Sequence, residues 1–191
     1  MNKLALLLVA ILLAAITLSP PFAVAQSTVR VTGGGTGTFA DGDIDPWDLG
    51  NPPLDGDLDG DGDIDGSQFG IGVTIRTEDG SAQGHFLCLM AGRSDILGLS
   101  LMAVQGPVNT GTDNGSGSVS FSGVGTVNLG NGTIFSDIPF NVTVTAGGPG
   151  VGTLQLTVIG AFDGVPGDTL PGNGNYDLPV ETVASGRIKI H

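Results

Sequence analysis

Phe140-Asn141-Val142-Thr143-Val144-Thr145, then Ala146-Gly147-Gly148-Pro149-Gly150, then Val151-Gly152-Thr153-Leu154-Gln155-Leu156-Thr157-Val158-Ile159 is the stretch whose reading decides the fold. On its first side every second residue is apolar and the residues between are Asn or Thr. On its second side Leu154, Leu156 and Val158 repeat at the same period. A period of two puts one set of side chains on one face of a strand, and a Gly/Pro cluster between two such runs is turn chemistry. The stretch therefore predicts an antiparallel hairpin with one buried face.

Outward from that hairpin the same pattern recurs. Ser118–Asn128 alternates through Val119, Phe121, Val124 and Val127, and Phe69–Thr77 and Gly84–Ala91 flank the turn Glu78-Asp79-Gly80. Thr28–Thr32 and Thr36–Ala40 read as short segments around a bend at Gly33-Gly34-Gly35. Ile96–Gln105 ends at Gly106-Pro107, Thr110–Gly117 reads as a polar loop, and Asp163–Pro179 reads as a long loop. Thr182–Ile190 is the last strand. No stretch reads as a helix. With 34 glycines and few aromatics, this predicts an all-β domain, an antiparallel β-sandwich or flattened barrel of about eight strands.

One segment breaks the strand pattern. Ten of the 19 acids lie between Asp41 and Asp65, where there is no Lys or Arg. Counted from Asp57, carboxylates fall at loop positions 1, 3, 5, 7 and 9: Asp57, Asp59, Asp61, Asp63 and Asp65. Gly62 takes position 6 and Ile64 position 8. A hard cation such as calcium (Ca2+) takes six to eight oxygens, which alternate residues of a tight loop supply, and a glycine at position 6 permits the sharp turn. Position 12 calls for a bidentate acid and is Gln68 instead. Just upstream, Asp41, Asp43, Asp45 and Asp48 match positions 5, 7, 9 and 12, with Gly42 and Ile44 at 6 and 8, whereas Gly37 and Phe39 stand where the first two ligands belong. The two part-loops are complementary, and an inserted acidic calcium-binding loop at about 41–68 is the expectation. The bland alternative is a solvated acidic linker. Such a linker has no reason to keep a glycine at 6 and an aliphatic residue at 8. Trp47, the only tryptophan, reads first as an apolar plug over the metal loop and second as a platform for a sugar ring.

These loops resemble those of dockerins and thrombospondin-type repeats as loops only, because Leu49-Gly50-Asn51-Pro52-Pro53 and Phe69–Ile75 cannot continue as amphipathic helices. The surrounding chain resembles the bacterial post-COAP domain. The resemblance is carried by Val29–Gly35, Gly84-His85-Phe86, Val124–Asn128, Phe140–Thr145, Gly147-x-Pro149-Gly150-x-Gly152 and Gly186–His191. It implies a secreted all-β fold and no reaction. Ala146 and Thr153 stand where that family often has an acid.

Met1-Asn2-Lys3 followed by the apolar run Leu4–Leu18 and by Ala23-Val24-Ala25 has the layout of a cleaved signal peptide. Residues 1–25 are expected to be removed, leaving 26–191 as one domain that is secreted, extracellular or periplasmic, with no transmembrane anchor. A formal charge of −13 argues against nucleic acid as a partner. The partner expected is an extracellular protein or glycan. Cys88, the only cysteine, lies among Phe86, Leu87, Leu89 and Met90 and reads as a buried, inert thiol. His85 and His191 form no catalytic constellation, and no nucleophile elbow, HExxH pair or P-loop occurs. The expected function is that of an exported, non-catalytic, calcium-binding β-domain with a structural or interaction role. A carbohydrate-binding module is the alternative, and a carbohydrate-active enzyme stands behind it.

Overall fold

The computed structural model describes residues 27–39, 66–91, 101–165 and 168–191. They form nine strands: β1 (Thr28–Phe39), β2 (Gly66–Arg76), β3 (Ala82–Ala91), β4 (Leu101–Gly115), β5 (Ser118–Asn128), β6 (Ile134–Thr145), β7 (Thr153–Ile159), β8 (Asn175–Asp177) and β9 (Glu181–Ile190). Every pairing is antiparallel. Strands β1 to β7 follow one another as a meander, β9 lies between β7 and β1, and eight strands close a ring. Short β8 pairs with β7 farther along the edge that β9 uses. The fold is all-β, as the alternation predicts.

Alternation decides which side chains fill the ring. Phe69, Ile71, Val73 and Ile75 of β2 are buried, and so are Val119 and Phe121 of β5, Phe140, Val142 and Val144 of β6, and Leu154, Leu156 and Val158 of β7. At the centre, Phe86 meets Phe121 edge-on at 5.8 Å between ring centroids and Phe140 in a tilted contact at 5.6 Å. Closing the ring leaves the meander no long free edges and buries these aromatic rings completely.

Two breaker signals turn out to be strand residues. Gly33-Gly34-Gly35 does not bend the chain: β1 runs unbroken, paired with β2 on one side and β9 on the other. At Gly35, φ is +151° and an added Cβ would collide with the Ser185 carbonyl, so glycine there permits a close cross-strand approach. Likewise β4 passes through Gly106-Pro107 and runs on to Gly115, taking in most of the expected polar loop. Along β4, pairing with β5 runs to Gln105↔Thr126 and resumes at Val108↔Gly123. Pro107, which lacks an N–H, falls in that gap.

The acidic segment joins neighbouring strands. Thr38 on β1 is paired directly with Gly66 on β2, so the residues that flank 40–65 in sequence lie side by side at the end of one antiparallel pair. Strand β2 also begins three residues before Phe69, which places Gly66, Ser67 and Gln68 in the ladder. Removing residues 40–65 and joining Phe39 to Gly66 through three glycines is expected to leave a soluble, β-rich protein by circular dichroism. Loop-closure entropy favours the shortened chain by about 1–2 kcal/mol. Aggregation, or loss of the β signal, would mean that the segment belongs to the core.

Candidate functional site

The nine carboxylates of the expected calcium site, Asp41, Asp43, Asp45, Asp48, Asp57, Asp59, Asp61, Asp63 and Asp65, lie outside the described residues, as does Trp47. What is described is the root from which their segment departs. Gln68, at position 12 of the loop pattern, is exposed on β2, opposite Thr36 on one side and Leu89 on the other. Phe39 and Gly66 hold the two ends of the segment together.

Beneath that root lies a polar group that the sequence reading missed. Glu181, the first residue of β9, points into the barrel and is 1% exposed. It reaches across β1 because Gly37 there has no side chain; a Cβ on Gly37 would collide with the Glu181 carboxylate. Ser67 of β2, itself buried, donates its hydroxyl to Glu181 Oε2 at 2.7 Å. Glu181 Oε1 has no hydrogen-bond partner among the described residues. Burial pushes the Glu181 carboxyl up to about 7, against the opposing pull of the Ser67 hydrogen bond. Cys88 on β3 is buried and free, as its apolar flanks predict. Burial and then the Glu181 charge push its thiol well above the ordinary range, only partly offset by Ser67. The thiolate form is therefore suppressed.

A second set of acids occurs in the segment that contains β8. Asp168 accepts from the backbone N–H groups of Gly164 at 2.8 Å, Leu170 at 3.0 Å and Asp177 at 3.2 Å. Partial burial opposes ionisation there, but these donors prevail and hold the Asp168 carboxyl below its ordinary value. Asp163 accepts from the Gly172 N–H at 2.6 Å. Asp177 accepts from the Thr157 hydroxyl at 2.7 Å and the Asn173 amide at 2.6 Å. Each acid thus shapes the loop that carries it. No group of three or more His, Cys, Asp or Glu side chains placed to hold a metal occurs among the described residues.

His85 stands exposed on the outer face of β3, opposite Gly72 and Pro107. Partly exposed aromatics occur at Phe135, which meets Phe162 at 5.4 Å with the rings 83° apart. Phe162 in turn meets buried Tyr176 edge-on. Rings set edge to face offer an irregular apolar spot rather than a flat surface on which a sugar ring stacks.

The chain matches no protein-family model, no curated protein and no solved structure.

Proposed function

We propose that this is an exported, non-catalytic β-barrel domain whose acidic insertion binds calcium and serves a structural or interaction role outside the cytoplasm. The observation that carries the reading is the ligand spacing from Asp57 to Asp65, with Gly62 at the turn position and Ile64 at the apolar one. The pairing of Thr38 with Gly66 supports it, because the barrel holds the two ends of the acidic segment side by side. Calcium is a hard cation that such oxygen ligands suit, and extracellular modules hold it at high ambient concentration. The likeness to the post-COAP domain agrees on a secreted location and adds no reaction. Binding of a glycan remains the alternative, and the edge-to-face setting of Phe135 and Phe162 weighs against it.

Hydrogen exchange with and without calcium tests the reading. Calcium removes repulsion between carboxylates, roughly 1 kcal/mol for a pair about 4 Å apart in water-like dielectric, and binds only the ordered loop. Exchange in residues 41–65 should slow strongly when calcium is added, while Phe140–Ile159 changes little. Asp57→Ala or Asp61→Ala should abolish that protection. Asp63→Ala should matter less, since position 7 ligates through its backbone carbonyl. Equal loss from all three would show diffuse charge screening instead of a loop of defined geometry.

A further inference from the structure

The ring of strands has one weak junction. Strand β7 meets β6 along six paired positions but meets β9 at only two, Thr153↔Thr182 and Leu154↔Glu181. On one side the seam is continued by the β6–β7 turn, where the Val183 N–H donates to the Gly152 carbonyl at 2.8 Å. On the other it resumes where the Leu178 N–H donates to the Leu156 carbonyl at 3.0 Å. Between them stand Pro179, which has no N–H, and Val180, 47% exposed. Glu181 is the residue that re-enters the barrel after this break.

We propose that Glu181 is a proton-operated latch on the barrel seam: protonated, it holds the first residues of β9 against β7, and ionised, it releases them. The geometry supplies the reason. A carboxylate needs several donors to be held inside a protein, and this one has a single donor, Ser67, while Oε1 has none among the described residues. The strands packed against it offer no compensation. Strand β1 presents Gly37 and Phe39, β7 presents Leu154, and β2 presents Ser67. The titratable neighbour is Cys88 of β3, whose thiol stays neutral and is itself disfavoured as a thiolate by the Glu181 charge. No Lys, Arg or His among the described residues contributes to the field at Glu181. An ionised Glu181 therefore gains by reaching water, and the break at Pro179-Val180 is the nearest place where the ladder is already interrupted. The release is local, because β9 is also held by β1 from Val31 to Phe39. This latch does not depend on the acidic segment binding calcium.

Amide exchange on the mature protein, in chelator-treated buffer and corrected for intrinsic rates, tests the proposal. The reporters are the Leu178 and Val183 amides, which bridge the seam, and the β6–β7 amides serve as the reference. Between pH 5 and pH 8 protection of the reporters is expected to fall roughly 10- to 100-fold, with most of the change complete near pH 7. The β6–β7 amides should change only a few-fold. Glu181→Gln should hold the reporters equally protected at both pH values. If that variant does not fold, Ser67→Ala decides: losing the one donor to the carboxylate moves the midpoint of the fall to higher pH. Equal protection of the wild-type reporters at both pH values would overturn the latch. So would a folded Glu181→Gln protein showing the same fall, or a Ser67→Ala protein with an unmoved midpoint.

Discussion

Phe140→Ala is expected to destabilise the protein by about 3–5 kcal/mol, the range for emptying a large aromatic site in a closed core. Phe140 is fully buried and stacks with Phe86, which in turn meets Phe121, so three strands lose packing together. Gly123 of β5 sits under the ring: a Cβ there would lie 2.6 Å from Phe140 Cζ. The bare backbone beneath cannot extend a side chain into the hole, so collapse around it recovers little. Guanidinium denaturation followed by circular dichroism measures the loss. A cost below about 1 kcal/mol would mean that the barrel centre is not packed as described.

The second large effect is a fall in stability as pH rises. Burial pushes the Glu181 carboxyl of the folded protein up to about 7, against an ordinary value of 4.5, so the folded chain keeps this proton over a range where the unfolded chain has lost it. A carboxyl raised in the folded state binds more protons there than in the unfolded chain. Its favourable contribution is then complete below about pH 4.5 and is lost as pH climbs to about 7. At 1.36 kcal/mol per unit, the loss is roughly 3 kcal/mol. Other acids act in the opposite direction; Asp168, held below its ordinary value, loses its contribution as pH falls. The comparison that isolates Glu181 is therefore wild type against Glu181→Gln, unfolded with denaturant at pH 5 and pH 8. Their stability difference should shift by about 2–3 kcal/mol in favour of the glutamine variant at the higher pH. A difference independent of pH would show that Glu181 is not desolvated in the folded protein.

Much of the fold was legible because burial on one face writes itself as alternation, and Phe140–Ile159 does so twice in succession. What misled were residues with two uses. The glycines at 33–35 and the pair Gly106-Pro107 have turn chemistry, yet in a closed barrel glycine also lets strands approach and proline is tolerated where a ladder is irregular. Composition alone cannot separate the two uses. Strand order was illegible for a different reason: β9 closes the ring beside β1 through pairings far apart in sequence. The buried carboxylate did leave a trace. Glu181 is in phase with Val183, so beginning the last strand one residue earlier would have turned it inward. Its partner Ser67 was hidden at the edge of the acidic run, where the calcium pattern claimed the neighbouring positions. The acidic insertion is the reverse case: its spacing is read from sequence, while the structure describes only its two anchored ends.

Isothermal titration of calcium into the protein spanning residues 26–191 at low salt is the most direct measurement of the central claim. The incomplete ligand set predicts saturable binding with Kd on the order of 10⁻⁴ to 10⁻³ M, and its loss in Asp57→Ala and in the protein lacking residues 40–65. No saturable heat up to about 10 mM calcium, or the same heat from the protein lacking the insertion, would contradict it.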